Sequence, residues 1–514
     1  MVFLIQAVFL PIILAPLAYL LGRRIGAKAG WFAFAVLLYS TVLLLVTSTF
    51  GGEYLETYPW QPIGVFGLQV DGLSLPFAAI ILILSTALAI YSIPYMQHKI
   101  EEDLQATKSS SPPGTGSTPE SDREFINRKT GLYYSLFMIY AAGMLGTVLA
   151  TNLIQFYIFF ELMLIPSFFL IAEFGYGDRY KISLMYFLWT HVGAASLLAG
   201  ILTIGWYSGT FDYAGIAESG IPASIRVWIA IAISAGLFVK LAAVGLHVWL
   251  PHAHAEAPTP ISALLSPAMI GIGGYAFIRI MIFLVPSSYS TVVLAISIWG
   301  LITMIYGGLM AFAQDDLKRL LAYSSVSQMG YIIFGMGSFY YLGVSGSVFH
   351  YVSHGTGKAL LFMSAGAIIL QTGGIRNISK LGGLGSKLPI TAVAAMIGFL
   401  AIIGVPPMNG FQSEWMIFAG SFAGALQDES MGRLIISGVA LAATPLTAGY
   451  ALLTMKRIFF GKLPDNLKDI RDPSLYITLP LILLAALTVI LGIYPALVTE
   501  RLVPLIQSAF GGIS

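Results

Sequence analysis

The 514 residues predict an all-α integral membrane protein with about 14 transmembrane helices, two inverted five-helix repeats and discontinuous helices. Three features point there. Apolar residues make up 57% of the chain and charged residues only 10%, a balance foreign to soluble domains of this length. Apolar stretches of about 20 residues, enough helix to cross ~30 Å of hydrocarbon, recur throughout. Basic residues concentrate in alternate connections, the pattern of a chain that weaves through a bilayer with positive charge held on the cytoplasmic side.

The spans fall at 2–21, 30–50, 74–97, 131–150, 152–174, 181–207, 227–250, 261–285, 289–313, 320–341, 344–371, 389–427, 433–459 and 474–497. The first is expected to stay as a helix: Pro11 and Pro16 interrupt it, no small-residue cleavage site follows, and its basic residues come after it. Residues 1–98 would hold three N-terminal spans, 131–285 the first repeat, 289–459 the second, and 460–514 a last span and tail. The intervening stretch, 99–130, is polar, and its core SSSPPGTGSTPES is rich in Ser, Pro, Gly and Thr; it reads as a flexible cytoplasmic loop. Connections after odd-numbered spans carry Arg23, Arg24 and Lys28, then Lys99 to Lys129, Arg179 and Lys181, Lys318 and Arg319, Arg376 to Lys387, and Lys456 to Arg471. The opposite connections carry only Arg226, Arg433 and Arg501, so both termini are expected on the extracytoplasmic side.

A net charge of only +2 offers nothing to hold nucleic acid. The absence of cysteine excludes disulfides, thiolate zinc sites, cysteine-ligated iron–sulfur clusters and a cysteine nucleophile. Redox chemistry would have to reside in another chain.

An ionisable group deep in hydrocarbon costs at least ~2.5 kcal/mol, so its presence asks for a function. Glu161 in QFYIFFELMLIPSFFL lies about 15 Å into its span at 1.5 Å per residue. Lys240 in AISAGLFVKLAAVGLHVWLP is at similar depth, and Lys358 and Glu414 lie in further apolar spans. One reading makes Glu161 and Lys240 a buried ion pair that fixes helix packing, although such pairs rarely add net stability. The other follows from proton physics: burial disfavours the charged form of each group and a nearby partner restores it, so a Glu and a Lys together form a bistable proton site. His247 follows Lys240 at i+7, and His350, His354 and Lys358 recur every four residues on one helical face, as a relay would require. Each His alone is equally well an ordinary hydrogen-bonded core residue.

No metal site is expected. His252 and His254 in HAHAE stand at i, i+2 beside Pro251, Pro258 and Pro260, which suits neither one helix face nor an HExxH pattern. HGTGKAL fails as a phosphate loop because Val352 stands where the first Gly is required. Two spans are expected to break instead: 389–427 contains GVPPMNG, and Lys240 precedes Gly245 and a proline-rich run. An interrupted helix bearing an ionisable residue in each half is what transporters with inverted repeats present.

Five motifs in order resemble the antiporter-like membrane subunits of respiratory complex I and its relatives, most closely the M-type subunit. They are VDGLSLPF from Val70, FFELMLIPSFFL from Phe159, KLAAVGLHVWLPHAHAEAPTP from Lys240, QDDLKRLLAYSSVSQMGY from Gln314 and GVPPMNGFQSEW from Gly404. The resemblance implies proton translocation through Glu161, Lys240, His247, His350, His354, Lys358 and Glu414, with Glu161 paired to Lys240 and Glu414 terminal. It implies no cofactor in this chain, with iron–sulfur clusters, flavin and quinone in other subunits. The implied partners are the lipid bilayer, neighbouring antiporter-like subunits and the lateral helix of an L-type subunit, in a prokaryotic plasma membrane or an energy-converting internal membrane. Three positions depart from the M-type pattern: Gly271 stands where a central lysine is usual, Gln328 where a histidine is usual, and Lys358 is an L-type feature.

The function so implied is a proton-translocating, non-redox subunit of an oxidoreductase that passes electrons from a nicotinamide, ferredoxin or deazaflavin to a quinone or phenazine. The alternative is a subunit of a multisubunit Mrp-type sodium/proton antiporter. A purely structural scaffold leaves four buried charges without a use.

Overall fold

The computed structural model describes residues 3–49, 52–109 and 118–511. In chain order the elements are α1 (Phe3–Ile25), α2 (Ala29–Ser48), β1 (Tyr54–Trp60), β2 (Gly64–Val70), α3 (Ser74–Ser109), α4 (Pro119–Leu149), α5 (Leu153–Phe174) and α6 (Arg179–Ser208). There follow α7 (Tyr213–Glu218), α8 (Ala223–Lys240), α9 (Trp249–Glu256), α10 (Thr259–Leu264), α11 (Ile272–Phe277) and α12 (Pro286–Tyr289). The second half holds α13 (Val293–Phe312), α14 (Leu317–Met336), α15 (Tyr341–Gln371), α16 (Pro389–Ile403) and α17 (Asn409–Gln427), then α18 (Met431–Ala443), α19 (Pro445–Phe459), α20 (Leu475–Ile493) and α21 (Ala496–Gly511).

This is a multi-pass helical membrane protein. Among the described residues, ten helical stretches are long and apolar enough to cross a bilayer, the first of which, Phe3–Ser48, contains both α1 and α2. The helices α14, α15 and α17 fall outside that set because Ser, Gly, His, Gln and charged residues dilute their apolarity. They carry most of the polar groups described below. Each half repeats one order: three helices (α4 to α6, α13 to α15), a broken helix (α8/α9, α16/α17) and a last crossing. In the first half that crossing runs from α10 through α11 with π-helical turns at Leu265–Met269 and Ile278–Leu284.

One expectation needs correcting. The polar stretch 99–130 is mostly helix: α3 has 36 residues, about 54 Å at 1.5 Å per residue, so its end projects beyond a ~30 Å hydrocarbon layer. The helix α4 starts in the same stretch, with Thr118 as N-cap, Pro119 in the first turn and Glu120 and Asp122 favouring the helix N-terminus. Lys108 and Asp122 pair across the two ends; the residues of the loop core at 110–117 lie outside the described residues. Among the described residues a single β-hairpin accompanies the helices. The strands β1 and β2 pair antiparallel from Tyr54 opposite Val70 to Trp60 opposite Gly64. Glu56 on β1 turns its carboxylate to the first turn of α1, accepting from Leu4 N at 2.9 Å and Ile5 N at 3.0 Å, which satisfies amides a membrane helix could not otherwise pair at its end.

The core runs along α15, in which every residue from Gly343 to Ile369 is buried. It packs against α3, α10, α14, α16, α17 and α20, so helices of both repeats meet on it.

Candidate functional site: a buried row of ionisable side chains

The first break is built by backbone that side chains from the other repeat satisfy. The helix α8 ends at Lys240, Ala242 and Gly245 take positive φ (52° and 88°), and α9 restarts at Trp249. Trp249 Nε1 donates to Val239 O at 2.9 Å. From α13, Thr303 Oγ1 accepts from Val244 N at 3.1 Å and Trp299 Nε1 donates to Val244 O at 2.9 Å. Irregular backbone is stable at membrane depth because protein groups pair it in this way.

Lys240 is buried, with Nζ 5.1 Å from the centre of the Phe160 ring. Glu161 is the charged group whose field reaches it, yet the two form no ion pair within 4.0 Å. Instead Glu161 Oε2 lies 3.4 Å from His191 Nδ1 on α6. The reason is helical phase: Phe160 faces Lys240, and the next residue is rotated by about 100° toward α6. The expected Glu161–Lys240 contact is thus replaced by a Glu161–His191 contact with Lys240 behind an aromatic ring. His247 is likewise taken off the face of Lys240 by the break; its Nδ1 accepts from Gly245 N at 3.2 Å and its ring packs 5.0 Å from Tyr306.

At the second break α16 ends on Gly404, φ 75°, and α17 begins at Asn409. The Glu414 carboxylate lies so close over Gly404 that a Cβ there would fall 2.7 Å from Oε2. Two networks stitch α17 to α15. His350 Nδ1 and Ser413 Oγ are 2.9 Å apart, and Asn409 accepts from Ser353 Oγ and donates to Thr356 Oγ1, both at 3.0 Å. The ring of His350 stacks on Tyr331 at 5.3 Å. Further along α15, Lys358 Nζ donates to Leu321 O at 3.1 Å and to Ser324 Oγ on α14.

Between the breaks stands His254 of α9, fully buried and stacked on Phe362 of α15 at 5.1 Å. The fields of Lys318 and Lys358 reach it, and it in turn acts on His354 together with Lys358 and His350. Both ring nitrogens of His254 and of His354, His350 Nε2, Glu161 Oε1 and Glu414 Oε1 are buried without a protein partner. Buried polar groups without a protein partner are what bound water satisfies.

Sequence reasoning missed His191, His254, Lys318 and Asp71. His191 in LWTHVGAAS was open to the test that found Lys240, an ionisable residue within an apolar span. His254 was weighed only as a metal ligand, and Lys318 only as a loop cation, although it is 1% exposed. Asp71 meets Arg279 in a buried pair, Arg279 Nη2 lying 2.8 Å and 2.6 Å from its two oxygens, while Oδ1 also caps α3 through Leu73 N and Ser74 N. Burial opposes ionisation of Asp71, but the Arg279 guanidinium and the Ser74 amide outweigh it and hold its carboxyl below the usual range. At Gly271 a Cβ would fall 2.0 Å from the Tyr351 ring, which stacks on Phe77 at 4.1 Å: Tyr351 fills the space beside it. Gln328 Nε2 donates to Ile402 O at 3.3 Å, one residue before the end of α16.

Residues 150–428 match the family described as NADH:quinone oxidoreductase/Mrp antiporter, TM, and residues 60–104 match the complex I chain 5 N-terminus. The chain belongs to this NADH:quinone oxidoreductase/Mrp antiporter family. Within it, the F(420)H(2) dehydrogenase subunit M of Methanosarcina mazei is 34% identical over 89% of this chain and 87% of its own length. NADH-quinone oxidoreductase subunit M of Rhodobacter capsulatus is 29% identical over 96% of this chain and 94% of its own. An Na(+)/H(+) antiporter subunit of Alkalihalophilus pseudofirmus is 32% identical over 96% of this chain but 61% of its own. Respiratory complex I from Thermus thermophilus contains a chain of the same fold, with TM-score 0.84, 23% identity, and 99% and 100% coverage of the two chains. A chain of the Mrp complex from Dietzia sp. gives TM-score 0.80 at 22% identity, with 99% of each chain covered.

Proposed function

We propose that this chain is a proton-translocating membrane-arm subunit of a complex I-like oxidoreductase and takes no part in the electron transfer itself. One observation carries the reading: part-buried Glu161 and buried Lys240, His254, His354, Lys358, His350 and Glu414 gather around the two helix breaks, with seven of their polar atoms left without protein partners. A stable scaffold gains nothing from such groups, whereas a proton path needs them. Two of the relatives above are named as the M subunits of an F(420)H(2) dehydrogenase and an NADH-quinone oxidoreductase. On this reading the electron donor is a deazaflavin, nicotinamide or ferredoxin and the acceptor a quinone or phenazine, with flavin, iron–sulfur clusters and quinone held by other subunits.

The mechanism is charge coupling. Hydrating or closing the gap between Glu161 and Lys240 changes which of them holds the proton; Lys240 passes it toward the histidines and Lys358, and Glu414 exchanges it with the outer side. Coupled groups exchange protons as a set rather than singly, so the path loads and unloads as a unit. Both termini lie on the extracytoplasmic side of a prokaryotic plasma membrane or an energy-converting internal membrane. Glu161 is 19% and His191 52% exposed on the chain's own surface. An ionisable pair facing lipid is unfavourable, which supports a neighbouring antiporter-like subunit covering it; the lateral helix of an L-type subunit is a second expected partner.

In inverted membrane vesicles carrying the complete assembly, Lys240→Ala is expected to abolish donor-driven proton uptake while leaving part of the donor oxidation. Full uptake by this variant would refute the mechanism. The likeness to the Na(+)/H(+) antiporter chain of Alkalihalophilus pseudofirmus favours a second reading, in which this chain serves an Mrp-type antiporter. Sodium-dependent proton flux without any electron donor would establish that instead.

A further inference from the structure

Three connections rich in positive charge converge on a cavity of about 290 Å³ between the projecting end of α3, the α5–α6 turn and the segments flanking α14 and α15. Glu102, Gln105 and Arg376 stand in its wall. Toward the membrane it ends on hydroxyls: Tyr95 Oη is 3.0 Å from Tyr176 Oη and donates to Thr259 Oγ1 at 2.8 Å. Beside them Lys318 also lines the cavity, its Nζ 5.6 Å from the Tyr176 ring and donating to Ala257 O, which closes the C-terminal end of α9. One turn back along α9 is His254, with two partnerless ring nitrogens, and beyond it Lys358. Lys318 therefore has an open polar cavity on one side and an unpaired imidazole on the other. Helix capping accounts for its bond to Ala257. It does not account for a cavity at an ammonium buried to 1% exposure, amid the charges of Lys99, Glu256, Asp316 and Arg376.

We propose that this cavity is the cytoplasmic intake of the proton path, and that Lys318 carries protons from its water to His254. The step balances: an N–H bond of the Lys318 ammonium breaks as one forms on an imidazole nitrogen of His254, a proton from cavity water restores Lys318, and the second imidazole nitrogen releases its proton to unprotonated Lys358. The inference rests on the proposed function and on the orientation given there.

The chain has no cysteine, so Gln105→Cys places a single thiol of this chain at the exposed wall. Inverted vesicles of the complete assembly are treated with a bulky membrane-impermeant thiol reagent, with the wild-type assembly in parallel to account for thiols of other subunits. Donor-driven proton uptake by the labelled variant is expected to fall to about a tenth or less of its unlabelled rate, a loss beyond any in the treated wild type. Equal rates at full labelling, checked by mass, would overturn the intake. Lys318→Arg keeps the charge and the cap but cannot release a proton; at unchanged assembly its uptake should fall at least about tenfold, and a wild-type rate would overturn the carrier role. A wild-type assembly that moves no protons would sink the proposed function itself, whereas wild-type uptake beside an indifferent labelled variant sinks only the intake.

Discussion

At the first helix break the carboxylate is part-exposed and leans on a half-exposed imidazole, Glu161 on His191, with Lys240 held apart behind the Phe160 ring. At the second break Glu414, His350, His354 and Lys358 are all buried, and α14, α15 and α17 are joined through Ser324, Ser413 and Asn409. One half thus leaves its charged end at the protein surface, and the other encloses it. The difference teaches that the two repeats share an order of elements but not a degree of enclosure: the first site is left part-exposed on the chain's own surface, the second is closed by the chain itself. Under the proposed mechanism a perturbation from a neighbouring subunit acts at Glu161, whereas Glu414 answers to changes relayed through α15.

The strongest way to break this contrast is Lys358→Met. Burial on all sides leaves no outside group to substitute for the lost ammonium, so proton uptake in vesicles is expected to drop by about two orders of magnitude, the scale of a lost proton-transfer group. Uptake within a factor of a few of wild type would show that the second site is not enclosed.

Asp71→Asn tests whether both halves hang on one strut, because Arg279 ends the first repeat and Asp71 opens α3, which packs on α15 and α10. Cutting this buried pair should cost about 3 to 5 kcal/mol, read as a lower thermal midpoint of the purified assembly. The sign with pH follows from a folded carboxyl held below its unfolded value of about 3.9. The stabilisation is complete above that pH and is lost as pH falls through the depressed folded value, so wild type and variant should converge in acid and differ most near neutrality. A difference that grew in acid would contradict the assignment.

The smallest effect is expected from His191→Phe. A half-exposed pair contributes at most about 1 kcal/mol, so uptake should change by about fivefold or less. A loss as deep as that of Lys358→Met would mean that the first site is as closed as the second and would dissolve the comparison.

Much of this was legible along the chain. Proline-rich GVPPMNG and the Gly245 region marked both breaks, since lost backbone bonds at membrane depth leave few alternatives to an interrupted helix. The polar stretch at 99–130 misled because a helix extended into water by a neighbour needs no apolar face; α3 and α4 support each other there through Lys108 and Asp122. The β1–β2 hairpin went unread because its strands are short, and the job of Glu56 lies some fifty residues away, at the start of α1. His254 and Lys318 were discounted for a similar reason, the first as half of a poor metal motif and the second as a surface cation, although a turn of α9 and the packing of α14 bury both.

The linear order alone determined that the chain lives in a bilayer, that its helices break twice, and that a handful of acids, amines and imidazoles sit where hydrocarbon penalises them, because those penalties are local and act on each segment separately. Only the tertiary structure decided who meets whom: Glu161 with His191 rather than Lys240, Lys358 with Ser324, Asp71 with Arg279. Those meetings depend on helical phase, on which a single residue turns a side chain by about 100°, and on contacts between segments up to 208 residues apart, which no local pattern encodes.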